Sequence, residues 1–156
     1  MEIYKKIMNI VARIEGIVLS LALILVTVLA FGNVVGRKVF NHSWGFTEEI
    51  TVAVFVLISL LGAGLASRTG ELVNLALLPD MVGKKAKKVL KFISSIICLT
   101  YSGIMLREGW IIMAKDIKLS PILYIPVKYF DAFVVIGAIS LIIHFIENCV
   151  IFLTEE

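Results

Sequence analysis

Four long apolar runs separated by short polar stretches constrain this chain more than any other feature. An α-helix rises about 1.5 Å per residue, so roughly 20 apolar residues cross a hydrocarbon core of about 30 Å. Residues 14–36, 48–67, 88–114 and 127–153 meet that requirement. The runs are continuous, whereas the strands of a membrane barrel are short and dyad-patterned, so helices are the spanning form. The sequence predicts an all-α integral membrane protein with four transmembrane helices.

Composition agrees with this reading. The chain has 156 residues, of which 60% are hydrophobic and 17% charged. Soluble domains are about 45–50% apolar, so the excess surface has to face lipid. No repeat, low-complexity tract or linker divides the chain, and residues 1–156 read as a single domain. Residues 1–13 are basic enough for the head of a signal peptide. The apolar run that follows far exceeds the roughly 7–15 residues of such a peptide and lacks a small-residue cleavage site, so it reads as a retained span.

Lysine and arginine placement sets the expected orientation. Lys5, Lys6 and Arg13 precede the first span, and Arg68, Lys84, Lys85, Lys87, Lys88 and Lys91 lie between the second and third. These hold nine of the fifteen basic residues, which predicts that both termini and the middle loop are cytoplasmic. Within that loop, residues 71–78 (ELVNLALL) are apolar but too short to span, and Pro79 ends them. They read either as an amphipathic helix at the inner interface or as an ordinary loop. Lys84, Lys85, Lys87 and Lys88 would anchor to lipid headgroups.

The sequence holds no catalytic constellation, phosphate loop or metal-ligand spacing, so it implies no enzyme, no cofactor and no metal site. The basic residues sit between apolar runs instead of forming a stripe, which excludes a nucleic-acid partner. Cys98 and Cys149 lie in apolar runs and read as small hydrophobes.

Polar residues in or beside the spans need an account, because placing them in lipid is costly. Asn33, Arg37 and Asn41 follow i, i+4, i+8 near the outer end of span one, beside a Gly32–Gly36 pair that permits close helix approach. They read as a packed helix end or as a partner interface. Thr47 reads as the N-cap of span two, with Glu48 and Glu49 in its first turn, where carboxylates suit the helix dipole. An ion pair from Arg37 to one of these glutamates would pin the hairpin. Trp44 and Phe46 suit an aromatic belt. On span four, Ser140, His144, Glu147 and Asn148 share roughly one side and read as a helix contact or as a proton relay. Asp131 is expected to pair with Lys128 at i, i+3, and Glu15 sits near the inner surface.

Residues 36–50 (GRKVFNHSWGFTEEI) resemble the first hairpin of the small membrane subunits of tripartite ATP-independent periplasmic (TRAP) transporters, the DctQ-type family. Arg37, Phe40, Asn41, Phe46, Thr47, Glu48 and Glu49 take the positions of that family's pattern. Residues 65–70 (LASRTG), the ELVNLALLPD segment and residues 120–126 (SPILYIP) continue the resemblance along nearly the whole chain. Phe46 stands where the family usually has tryptophan, and Glu71 and Leu72 follow Gly70 where it often has histidine.

The resemblance implies a non-catalytic subunit of the bacterial inner membrane. It would form scaffold with a large TRAP membrane subunit and help dock a periplasmic substrate-binding protein during sodium-coupled uptake of an organic acid, such as a C4-dicarboxylate or sialic acid. Its expected partner interface is the outer hairpin (Asn33, Arg37, Asn41, Trp44, Phe46, Glu48, Glu49) with the second outer loop (Lys118, Ser120, Pro121, Pro126), and membrane lipids surround it. The rival reading from the residues is a homo-oligomeric small transporter or channel with a proton path through His144 and Glu147.

Overall fold

The structure, a computed structural model, describes residues 2–69 and 84–154. They form four helices, α1 (Glu2–Val39), α2 (Gly45–Thr69), α3 (Lys84–Lys115) and α4 (Lys128–Thr154). Each contains a segment long and apolar enough to cross a membrane. The ELVNLALL segment lies outside the described residues. Lys84, Lys85, Lys87 and Lys88 open α3, and their side chains also lie outside what the structure describes.

Two helix starts differ from expectation. α1 begins a dozen residues before its apolar run, because residues 2–15 contain no proline or glycine to stop it and because this extension has a tertiary partner. Met8 is buried, and the Arg68 guanidinium of α2 donates to the Met8 carbonyl at 3.3 Å and to Asn9 Oδ1 at 2.5 Å. α2 opens at Gly45, so Thr47 is not its N-cap. The Thr47 hydroxyl donates to the Trp44 carbonyl at 2.6 Å. Asn33 Oδ1 of α1 accepts from the Trp44 N–H at 3.0 Å, so a side chain from the neighbouring helix satisfies a donor at the helix start.

α4 is central. It packs between α2 and α3, while α1 packs on α2. The buried apolar core is drawn mainly from α2 (Ala53, Val54, Leu57, Leu61) and α4 (Val135, Ala138, Leu141, Phe145). Glycine sets the spacing of this pair. A Cβ at Gly137 would lie 2.5 Å from Leu60 Cβ, and one at Gly64 would lie 2.9 Å from the His144 ring. Close approach at small residues is how membrane helices gain contact without a hydrophobic driving force. Gly137→Val is therefore expected to separate α2 from α4 and destabilise the bundle by about 1–3 kcal/mol, as overpacking does. Thermal melting of the purified variant in detergent measures it, and an unchanged midpoint would contradict the close contact.

Candidate functional site

The end of the molecule where the α1–α2 and α3–α4 connections meet is organised by one carboxylate. Glu49 lies in the second turn of α2, so its side chain projects from the bundle toward the α3–α4 connection. It accepts from the Ile122 N–H at 3.1 Å, from the Leu123 N–H at 3.3 Å and from the Ser120 hydroxyl. The loop is shaped for this. Leu119 bridges Pro126, Ser120 N–H donates to the Ile125 carbonyl at 2.8 Å, and Tyr124 takes a positive φ of 54° that closes the turn. Successive amides then point inward at one anion, a nest filled here by the protein's own side chain.

The α1–α2 connection is folded against α1. The Trp44 ring lies over Gly32 and Gly36, where a Cβ would come within 3.1 Å and 3.6 Å of it, and stacks on Phe46 with centroids 6.1 Å apart. The glycine pair thus admits an indole where a second helix was expected. Asn33→Ala would remove the hydrogen bond to Trp44 and is expected to cost about 1 kcal/mol, measurable as a lower melting midpoint and a red-shifted tryptophan emission.

Among the expected interface residues, the structure joins Glu49 to Ser120 and Asn33 to Trp44. Arg37 and Glu48 are exposed, and among the described residues Arg37 makes no ion pair with either glutamate, because Glu49 is committed to the second loop. Asn41 is not on a helical face with Asn33 and Arg37. α1 ends at Val39, and Asn41 takes a left-handed φ of 52° that turns the chain, a role asparagine tolerates well. Lys118 and Pro121 are exposed on the second loop, with Pro126 at its closing bridge. Asp131 does not pair with Lys128, whose ammonium lies 5.5 Å from the Tyr129 ring centroid. Asp131 instead lines an apolar groove of about 480 Å3 with Glu48, Glu49, Val52 and Phe130.

A second polar cluster joins three helices nearer the other end. Glu15 of α1 accepts from the Ser140 hydroxyl at 2.7 Å and lies 2.6 Å from His144 Nε2, both on α4. His144 is fully buried, and its Nδ1 lies 3.5 Å from Glu147 Oε2. Glu147 Oε1 receives the Arg68 Nε of α2 at 3.2 Å, and Asn148 donates to the Ser67 carbonyl at 3.1 Å. The shared side of Ser140, His144, Glu147 and Asn148 is therefore a helix contact. Glu15, Asn9 and Arg68 complete it and were not singled out from the sequence. The available signal was Glu15 itself, a carboxylate bordering an apolar run, which by its cost in lipid requires a partner.

Residues 26–154 match the family described as tripartite ATP-independent periplasmic transporters, DctQ component. A TRAP transporter small permease protein of Haemophilus influenzae is 33% identical over 89 residues, covering 57% of this chain and 55% of that protein. The ectoine TRAP transporter small permease protein TeaB of Halomonas elongata is 26% identical over 88 residues, covering 56% of this chain and 46% of that protein. The matched stretches thus span about half the length of either relative.

Proposed function

The chain belongs to the DctQ family of tripartite ATP-independent periplasmic transporter components, and from that premise we propose that it is the small, non-catalytic scaffold subunit of such a transporter. It sits in the bacterial inner membrane with both termini cytoplasmic. It packs against a large membrane subunit and helps dock a periplasmic substrate-binding protein that delivers an organic acid for sodium-coupled uptake. Four helices long and apolar enough to cross a membrane support the location, and the excess of basic residues before span one and between spans two and three supports the orientation.

The observation that carries the docking role is the Glu49 clamp. It ties the α1–α2 hairpin to the α3–α4 loop, so that two short outer connections present one continuous rim. Such preorganisation lowers the ordering cost of a partner's binding. The exposed Arg37, Glu48 and Lys118 surround this rim and offer charges of both signs. Arg37→Ala is expected to lower uptake in cells or proteoliposomes holding the complete system while the binding protein's affinity for substrate stays unchanged. Wild-type uptake at normal complex yield would count against docking through the hairpin.

The inner cluster supports the scaffold reading over a proton path. His144 is fully buried and Glu147 nearly so, each engaged by a neighbouring helix. Such a polar contact fixes how α1, α2 and α4 sit together, which is what an immobile support requires.

A further inference from the structure

Arg107 and Glu108 are the most anomalous residues on the membrane-facing surface. Their side chains are 76% and 51% exposed, and Arg107 Nη1 lies 3.2 Å from Glu108 Oε1. They are not at the end of α3. Arg107 is eight residues before Lys115, about 12 Å along the helix axis. Packing gives the same depth independently. Arg107 borders a groove with Val135 and Ile139, and Gly109, two residues further along, faces Val134 and Val135. Ile139 is the middle residue of the α4 segment Lys128–Val150. An arginine stem reaches several ångström toward the interface, but a glutamate stem is shorter, and the two heads are held together.

The surrounding face is otherwise ordinary for lipid. Ile93, Ile97 and Ile104 are exposed in a stripe at i, i+4 and i+11, and Glu108 continues it at i+15. α3 is also the least apolar of the four spans, with a mean hydropathy of 1.3 against 2.1 to 2.6 for the others. A charged residue at such depth almost always faces protein or a wet cavity, because hydrocarbon offers it no hydrogen bonds. Neighbours one apart on a helix do not face each other, so the mutual contact satisfies only part of either group.

We infer that the α3 stripe from Ile97 to Glu108 is the seat of the large membrane subunit, which presents a helix carrying a carboxylate opposite Arg107 and a hydrogen-bond donor opposite Glu108. This rests on the scaffold reading above, since the family description names a tripartite assembly and this chain as one component of it. Charge complementarity selects such an occupant over lipid, whose tails leave both groups unsolvated.

The test is made on this chain co-expressed with the large membrane subunit of its transporter and extracted in mild detergent. A photo-reactive amino acid replaces Ile104 in one variant and Leu23, exposed on α1, in a control. Ile104 is expected to cross-link to the large subunit more than Leu23 does. Arg107→Leu is expected to reduce the co-purifying large subunit about tenfold or more, because it strands the opposing carboxylate. Ile104 adducts to lipid alone or to a second copy of this chain would overturn the inference while leaving the scaffold reading intact. So would full co-purification by Arg107→Leu. If the large subunit fails to co-purify with the wild-type chain, the scaffold reading and this inference both fall.

Discussion

Replacing Arg68 by leucine is expected to destabilise the protein by roughly 3–5 kcal/mol, the largest effect of any single change outside the helix core. Arg68 leaves about a fifth of its side chain exposed, while its partner Glu147 is 5% exposed. Removing the guanidinium strands that carboxylate beside Glu15, with His144 between them. It also frees the Met8 carbonyl and Asn9, which hold the start of α1. The variant is expected to melt at a clearly lower temperature in detergent and to lose the N-terminal end of α1 to proteolysis. Glu147→Gln removes the ion pair but leaves a neutral group able to hydrogen-bond, so its effect is expected to be smaller. Equal melting of wild type and Arg68→Leu would show that the cluster does not hold the helices.

Glu49→Ala is expected to have the largest effect on transport. The substitution leaves the Ile122 and Leu123 amides and the hydroxyl of the buried Ser120 without their acceptor. Each hydrogen bond to a charged group contributes about 1.5–3 kcal/mol, enough to release the α3–α4 loop from α2. If docking needs the joined rim, uptake falls about tenfold or more, since each 1.4 kcal/mol of lost preorganisation is a factor of ten. Glu48→Ala provides the contrast. Glu48 is exposed and its removal is expected to change stability by no more than about 0.5 kcal/mol. A Glu49→Ala protein with normal uptake would separate the clamp from function.

These two sites differ in how far the sequence foretold them. The spans were legible because continuous apolar runs have few other fates, and Glu49 was legible as a carboxylate near the start of a helix, though it falls in the second turn and not the first. Its partners were not, since Ser120 to Leu123 lie more than 70 residues away in a loop whose inward-pointing amides depend on Tyr124 taking a positive φ. The GxxxG pair was visible, but it does not say what fills the space, and here that is Trp44. Glu15 looked unremarkable by its position on α1 alone. Its partners Ser140 and His144 lie on a helix more than 120 residues later. Arg68 counted only as a charge for orientation until folding brought it to Glu147. Local chemistry is written in the sequence, whereas pairings between helices depend on depth and rotation, which near-uniform apolar faces do not encode.

A scaffold component of a heteromeric transporter should stay bound to its large subunit when extracted gently. Affinity purification of the tagged chain from its native membrane in mild detergent, with mass spectrometry of what remains bound, tests it most directly. The expected result is a stoichiometric, much larger polytopic membrane protein. A homo-oligomer without such a partner would contradict it.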